Sequence, residues 1–408
     1  MSAFDCAQHR VTTNIRLPSV SPGCQRSLKY HAYGPKGTPR AYIQASLHAD
    51  ELPGMLVSHH LIKMLDIAAS RGHIKNEIII VPFANPIGLA QGFMDLHLGR
   101  FSFETMINFN RNWHDFSKEV AAAVLPKLSM TDSANNVRVI REALSVAVNN
   151  VPVLREEEVM KKELFKLAVV ADICLDLHCD DRSLLHMYTH DKCWPALRDL
   201  SDELQSHVCM LATCSGGNPF DEACTQVWET LAGQFPAFPI PMACQSATVE
   251  LRGQADVSDE LAARDARALF RFLQGRGFIA RESTAGDDDF AHSGATSGPG
   301  SVSPALQVGL RAPRLPDAHP LTATDTVIVE VAGIVAWKVA LGYMVTKGQL
   351  LGEVVCVDDV DAPRVPIVAR CDGLVFAMAG QLCRPGQAIM KIAGKEPLDY
   401  RKGNLLSL

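Results

Sequence analysis

The sequence predicts an α/β fold, with a mixed, mostly parallel sheet flanked by helices and an all-β, barrel-like domain after it. Two observations lead to this prediction. Apolar strand-like runs alternate with amphipathic helical runs from residue 41 to about 280, a pattern typical of a parallel sheet that is covered on both faces. After residue 322 the helical periodicity disappears and the chain repeats itself, which indicates a duplicated β unit.

The chain has 408 residues, enough for two domains. We expect a catalytic α/β domain over residues 1–280 and a β-barrel-like domain over residues 322–408. The segment between them, 281–321, is rich in Gly, Ser, Pro and Asp. Such a composition without periodicity predicts a linker or an exposed loop.

The elements of the first domain follow from their hydrophobic patterns. Short apolar runs predict buried strands, and apolar positions three or four apart predict helices. The predicted strands are Ala41–Ser46, Glu77–Phe83, Asp172–Leu177 and Ser246–Leu251. The predicted helices are Leu52–Ser70, about Ala134–Asn149, about Leu154–Ala171, and a helix that follows an N-cap at Ser258 and ends at Gly275.

The C-terminal repeat begins at Gly333 and again at Gly373, and each copy contains a Gly-Gln pair before an apolar strand. The duplication resembles the biotinyl/lipoyl-like barrel, with glycines at turns that need a positive φ. A carrier of that type should present a lysine between the two copies. The stretch "CVDDVDAPRVPIVARCDG" has none, so a structural or substrate-covering role is the better prediction.

Composition limits the partners that we expect. The formal net charge is −6 and no block of Lys and Arg occurs, which disfavours nucleic acid as a partner. No secretory signal and no apolar run of about 18 residues is evident, so we expect no membrane partner. The 12 cysteines form no CxxC pair, which favours free thiols and a cytoplasmic location. A homo-oligomer is compatible with the sequence, which gives no information on its size.

Three residues form a candidate metal site. His48 and Glu51, in "SLHADELPG", are three residues apart, so both can contact one cation. His178 ends the predicted strand in "LDLHCDD", and ligands in open α/β sheets gather at the carboxyl ends of strands. Two imidazoles and a carboxylate that leave one coordination position open are typical of catalytic zinc. The alternatives are a solvated helix start for the first pair and a hydrogen-bonded strand end for His178.

Four further polar residues are candidates for the chemistry. Glu250 lies near the end of an apolar strand, where a carboxylate is costly unless it is paired or catalytic. Asn110 and Arg111, in "FNRNWHD", can bind a carboxylate. Arg100 could stabilise an oxyanion, although a plain surface arginine is the alternative.

Together the motifs HxxE at 48–51, NRNW at 110–113, DLH at 176–178 and VEL at 249–251 resemble those of the zinc carboxypeptidase-like proteins, and most closely the succinylglutamate desuccinylase/aspartoacylase family. The resemblance covers roughly residues 40–275, and the family's C-terminal β-rich domain would match residues 322–395.

The resemblance implies a zinc carboxypeptidase-like fold and one Zn²⁺ per chain. It assigns His48, Glu51 and His178 as ligands and Glu250 as the general base and acid. It also assigns Asn110 and Arg111 to the substrate carboxylate and Arg100 to the oxyanion.

The function expected from these assignments is hydrolysis of the amide bond of a small N-acyl amino acid or related N-acyl amine. A metallocarboxypeptidase that releases C-terminal residues from short peptides is the first alternative, since it would share the metal site. An interaction module without a metal is the second. The sequence leaves open the acyl group, the amine, the role of residues 114–171, and whether the C-terminal domain covers the active site.

Overall fold

The structure is a computed structural model that describes residues 10–281, 303–315 and 317–406. Nine α-helices occur in these ranges. In chain order, α1 to α9 are Pro53–Ser70, Pro86–Leu89, Ser117–Val124, Ser133–Asn150, Glu156–Ala168, Trp194–Leu204, Phe220–Gln234, Asp259–Gly275 and Pro304–Arg311.

Twenty strands occur in the same ranges. In chain order, β1 to β10 are Val11–Arg16, Ser27–Tyr33, Arg40–Ala45, Glu77–Val81, Gly92–Phe93, Leu96–His97, Ile173–Asp180, Arg182–Ser183, His186–Thr189 and Val208–Leu211. β11 to β20 are Gln245–Gly253, His319–Pro320, Thr324–Ile328, Gly333–Trp337, Met344–Val345, Leu350–Val355, Val365–Val368, Gly373–Met378, Leu382–Cys383 and Ala388–Ala393.

The central sheet has nine strands in the order β1-β2-β4-β3-β7-β11-β9-β10-β12. Four adjacent strands of this sheet, β4, β3, β7 and β11, run parallel to one another. Strands β9, β10 and β12 also run parallel to one another. The pairs β1/β2, β2/β4 and β9/β11 are antiparallel. The predicted mixed, mostly parallel sheet is therefore confirmed.

Helices cover both faces of this sheet. On one face, alternate side chains such as Ile43, Leu175 and Val249 pack with apolar residues of α1, α6 and α8. On the other face, Tyr42 and Cys174 pack with residues of α3, α4, α5 and α7. Because side chains alternate along a strand, the even-numbered residues of β7 and β11 share this second face.

The predicted elements are present with small shifts at their ends. Helix α1 begins at Pro53, and the hydroxyl of Ser258 accepts a hydrogen bond from Leu261 N at the start of α8, as expected for an N-cap. Strand β7 runs to Asp180 and so includes His178 instead of ending before it. The strands β9 and β10 and the helices α6 and α7 were not predicted.

The segment expected as a linker, 281–321, contains unpredicted structure. Helix α9 begins at Pro304 after Ser303, whose hydroxyl accepts a hydrogen bond from Leu306 N. Strand β12 then joins the edge of the central sheet beside β10. Residues 282–302 of this segment lie outside the described residues.

The C-terminal region forms two small antiparallel sheets. The first has the strand order β13-β20-β18-β15, and β8 from the α/β region also pairs with β18. The second has the order β17-β16-β14-β19. Their inward residues, including Val335, Leu351, Val375 and Ile389, form one core. The predicted all-β C-terminal part is therefore confirmed, and its strands form two facing sheets around this core. Among the turn glycines of the repeat, Gly342, Gly348 and Gly386 have positive φ, as expected, while Gly380 does not.

The C-terminal sheets pack directly against the α/β region. Strand β8 of the first region pairs with β18 of the second, and Tyr188 and Met210 share an apolar cluster with Leu374 and Phe376. Within the described ranges, none of the helices is long and apolar enough to cross a lipid bilayer.

Candidate active site

His48, Glu51 and His178 lie together, as the sequence predicts. Their ligand atoms all lie within 4.8 Å of one another. Glu51 Oε1 lies 2.9 Å from His48 Nδ1, and Glu51 Oε2 lies 2.8 Å from His178 Nδ1. All three side chains are buried, and we call this cluster the metal end of the cleft that they line.

The local backbone explains how His48 and Glu51 converge. The chain leaves β3 at Ser46, which has a φ of 56°, a conformation that non-glycine residues rarely adopt and that is common at functional sites. The Ser46 hydroxyl donates to Glu51 O, and Glu51 N donates to His48 O. These bonds close a tight turn that points both side chains to one side.

The far nitrogen of each imidazole lies against a side-chain oxygen. His48 Nε2 is hydrogen-bonded to Asn108 Oδ1 at 2.7 Å, and His178 Nε2 lies 2.9 Å from Asp176 Oδ2. Metal-ligating histidines commonly have such a partner, which fixes the ring and the tautomer. The other Asp176 oxygen accepts from Gln44 Nε2 at 3.0 Å. The donor set therefore fits a zinc ion held by two Nδ1 atoms and a carboxylate oxygen.

The electrostatics of the cluster also favour a cation. Burial alone would raise the pKa of Glu51, but the two imidazoles hold that pKa well below its usual value. Burial alone would lower the pKa of His178, but the carboxylates of Asp176 and Glu51 raise it well above its usual value. The buried negative charge of the two acids thus attracts a positive charge to the position between the imidazoles.

Arg100 reaches the same position from a neighbouring loop. Its guanidinium donates to Glu51 Oε1 at 3.1 Å and lies 3.2 Å from His48 Nδ1. The loop can approach because residue 99 is glycine, and a Cβ there would lie 2.4 Å from Asp50 N. The side chain of Arg100 is about one-third exposed (34%), so it borders the open part of the cleft.

Glu250 lies beside the cluster on the adjacent strand. In the parallel pairing of β11 with β7, Glu250 is opposite His178, so the two side chains share a face of the sheet. Glu250 Oε2 is buried and has no hydrogen-bond partner among the described residues. Burial and the charge of Glu51 raise the pKa of Glu250 to about 8, a value suited to a general base and acid near neutral pH.

Asn110 and Arg111 both line the cleft, but the amide oxygen of Asn110 is already bonded. It accepts from Phe220 N at 2.8 Å, while Asn110 Nδ2 lies 3.4 Å from His178 Nε2. Arg111 donates to Asn110 O at 2.8 Å, and burial together with the charge of Arg100 lowers its pKa. The pair therefore presents an amide N–H₂ and a guanidinium to a ligand.

The C-terminal region contributes to the walls of the cleft. Leu321, Lys391 and Leu406 line it together with the residues of the metal end. Lys391, on β20, is paired with Asp180 at the end of β7. The space between these residues, including the open mouth, is about 820 Å³.

Two residues of the site had no predicted role. Asp176 is two residues before His178 on β7, and this period-2 spacing could have identified it as a partner on the same face. Asn108 lies in a loop without periodicity, so no sequence pattern indicated it. Asp50 lies between His48 and Glu51 in the chain, but it accepts a hydrogen bond from Gln254 Nε2 at 3.2 Å. The side chain that is hydrogen-bonded to His48 Nε2 is that of Asn108.

Comparison with known proteins agrees with this geometry. A family model for the succinylglutamate desuccinylase/aspartoacylase catalytic domain matches residues 37–276, more than half of the chain and every site residue from His48 to Glu250. No curated protein matches the chain.

Solved structures share the fold over nearly the whole chain. A protein from Shewanella frigidimarina NCIMB 400, assigned as a succinylglutamate desuccinylase/aspartoacylase, has 20% identity and a TM-score of 0.76, with 96% of this chain and 99% of that chain covered. One of the same family from Shewanella amazonensis SB2B has 22% identity and a TM-score of 0.75, with 94% and 98% covered. The product-bound ectoine utilization protein EutE (DoeB) from Ruegeria pomeroyi has 18% identity and a TM-score of 0.62, with 95% and 96% covered.

Proposed function

Because the chain belongs to the succinylglutamate desuccinylase/aspartoacylase family of hydrolases, we propose that it is a zinc-dependent amidohydrolase. Its substrate would be a small N-acyl amino acid or related N-acyl amine, cleaved to a carboxylate and a free amine. The observation that carries the proposal is the pairing of Glu250 with His178 in register, next to three converging metal-ligand atoms.

In this proposal, His48, Glu51 and His178 hold one zinc ion per chain. The bound zinc would polarise the amide carbonyl and lower the pKa of a water molecule. Asn108 and Asp176 would hold the two imidazoles in the orientation that directs each Nδ1 at the metal.

Glu250 would move the proton. Its ionised carboxylate takes a proton from the attacking water, and the resulting carboxylic acid gives that proton to the departing nitrogen. The raised pKa makes both steps accessible near neutral pH. Arg100 would donate to the oxyanion that forms on the carbonyl oxygen, and its contact with Glu51 places it at the border of the metal end.

Arg111 would bind the substrate carboxylate by charge-assisted hydrogen bonds, and the Nδ2 group of Asn110 would add a further donor.

We propose residues 1–280 as the catalytic domain and residues 322–408 as a covering domain. The contribution of Lys391 and Leu406 to the cleft walls supports a small substrate over the peptide of a metallocarboxypeptidase. Buried, unpaired thiols such as Cys193 and Cys209 support a cytoplasmic location.

The test is a hydrolysis screen of N-acyl amino acids and short peptides with the zinc-loaded protein. We expect turnover of N-acyl substrates, and a 10²- to 10⁴-fold loss of kcat for Glu250→Gln with unchanged zinc content. Glu260→Gln, an exposed acid in the first turn of α8, is the matched control and should retain full activity. Peptide cleavage without N-acyl turnover would contradict the proposal, as would full activity of Glu250→Gln.

A further inference from the structure

A second cavity lies where the α/β region, helix α9 and the C-terminal sheets meet, and we call it the junction cavity. Its walls are formed by β8, by the ends of α6 and β11, by α8 and α9, and by the segment between β14 and β15. The space between these elements, including the open mouth, is about 1000 Å³. None of its lining residues also lines the active-site cleft. A ligand here would therefore contact both regions of the molecule without occupying the cleft.

Helix α9 forms a fixed wall of this cavity because the chain at its C-terminal side is bonded to the loop after α6. His207 Nδ1 donates to Pro313 O at 3.1 Å, and Leu315 N donates to His207 O at 2.8 Å. The guanidinium of Arg314 donates to Ser206 O at 2.9 Å. These bonds hold the end of α9 against the α/β region, so the cavity is part of the fold.

Aliphatic side chains form much of the lining. Leu184, Leu185 and Leu204 line the cavity and are each at most 3% exposed. Val308 of α9 and Leu341 of the C-terminal region also line it, and both pack in one apolar cluster with Leu184. An apolar chain that entered the cavity would leave water for contacts with these side chains, which is favourable.

Among the described residues, three arginines line the same space, and two of them have no counter-ion there. Arg252 pairs with Asp265, whereas neither Arg182 nor Arg264 forms a salt bridge within the described part of the chain. The guanidinium of Arg182 donates instead to Met378 Sδ at 3.1 Å, and a thioether is a weak acceptor. The cavity therefore has cationic groups that an anion could pair with.

The other charges of the lining leave the junction cavity positive. The described lining contains one acid, Asp256. Since Arg252 is neutralised by its own partner, two unpaired arginines and one acid leave one net positive charge. His207, which also lines the cavity, adds none at neutral pH, because burial and the charges of Arg314 and Arg264 lower its pKa. A monoanion would neutralise this charge, while an amine would be repelled.

We propose that the junction cavity binds a small amphipathic monoanion, a carboxylate that carries an unbranched apolar chain. The chain would lie against Leu184, Leu185 and Leu204, and the carboxylate would pair with Arg264. This inference is independent of the proposed amidohydrolase function, because no residue that we assign to the hydrolysis lines the cavity.

The test uses octanoate as the probe and compares it with 1-octanol and octylamine, which have the same chain length but a neutral or a positive head group. The affinities are measured by titration calorimetry with the zinc-loaded full chain near neutral pH. Octanoate should bind about 10- to 100-fold more tightly than 1-octanol, as expected for hydrogen bonds to a charged group. Octylamine should bind less tightly than 1-octanol. Equal affinities of octanoate and 1-octanol, or no binding of octanoate, would overturn the inference.

Two variants locate the binding site. Arg264→Gln should lower the octanoate affinity by about tenfold or more and leave the 1-octanol affinity unchanged. Ala305→Trp, on α9, would fill the cavity and should abolish the binding of both compounds. Arg267→Gln is the matched control, since Arg267 is also half-buried on α8 but does not line the cavity. This variant should keep both wild-type affinities.

A further variant distinguishes the junction cavity from the active-site cleft, where Arg111 could also bind a carboxylate. Arg111→Gln should keep the wild-type affinity for octanoate. Loss of octanoate binding in Arg111→Gln, together with wild-type affinity in Arg264→Gln, would place the carboxylate in the cleft and contradict the proposed site.

Discussion

The metal end of the cleft and its other end, which is lined by Asp221 on α7 and by Ser246 and Thr248 on β11, differ in how far their polar groups are paired within the protein. At the metal end, both oxygens of Glu51 contact an imidazole, and each imidazole contacts a further side-chain oxygen. At the other end, Asp221 is hydrogen-bonded to Thr248, whereas the Ser246 hydroxyl has no hydrogen-bond partner in the described part of the chain. Glu250 lies between them, and its Oε2 likewise has no partner among the described residues.

This difference indicates two kinds of preorganisation. Paired side chains are fixed in one orientation before a ligand arrives, which suits atoms that must hold a metal at fixed distances. Unpaired buried groups gain their hydrogen bonds only when a ligand supplies them, which makes them selective for that ligand. The metal end should therefore determine whether the reaction occurs.

The largest expected effect is at the metal end. Glu51 contacts both imidazoles and also accepts from Cys179 N at 3.0 Å. Glu51→Gln would remove a ligand and the negative charge, so zinc affinity should fall by more than the roughly 10- to 100-fold typical of outer-shell changes. Competition with a chelator measures this, and Glu260→Gln is the control. Retained affinity would show that Glu51 is not a ligand.

A smaller effect separates the ligands from the residues that orient them. Asp176→Asn keeps the size of the side chain but removes the charge next to His178 Nε2, so zinc affinity should fall by about 10- to 100-fold. Asn108→Ala, on the His48 side, removes a neutral partner and should have a weaker effect. Equal zinc affinity in Asp176→Asn and the wild-type protein would contradict an orienting role.

The smallest effect concerns stability, and it tests the residue between the two ends. Burial raises the pKa of Glu250 from its usual 4.5 to about 8, so the folded metal-free protein holds a proton that the unfolded chain loses above pH 4.5. The free energy of unfolding should therefore decrease as the pH rises from about 4.5 to 8. Asp221 and Glu222, with pKa values raised to about 6 and about 7, add to the decrease at the lower end.

Glu250→Gln should make this decrease shallower, most clearly near pH 8, where Asp221 and Glu222 are mostly ionised in the folded protein. Urea unfolding of the metal-free protein at a series of pH values measures it. An identical pH dependence in the variant and the wild-type protein would mean that Glu250 is not held protonated by burial.

The prediction of the sheet succeeded where the signal was local. The run that became β4 is buried along its whole length and is apolar after its first residue, and β7 begins with the apolar stretch Ile173–Leu175, so both are visible without other information. Strands β9 and β10 have only four residues each; two of the four in β9 are polar, and the four apolar residues of β10 are too few to distinguish a strand from a buried helix segment. Helix α9 begins with Ser303 as N-cap and Pro304 as its first residue. It follows a stretch rich in Gly and Ser, so this Ser-Pro pair could not be distinguished from the turn residues before it.

The sequence by itself identified the candidate metal ligands and the proposed base, because residue type and motif order specify them. His48 and Glu51 are neighbours in the chain, and His178 and Glu250 lie near the carboxyl ends of β7 and β11, which parallel pairing brings side by side. Only the tertiary structure determined the partners of those residues and the shape of the cleft. The contacts of Asn108 with His48, of Lys391 with Asp180 and of Asp221 with the face of β11 join segments far apart in the chain. Such contacts depend on packing between elements, for which local sequence patterns carry no signal.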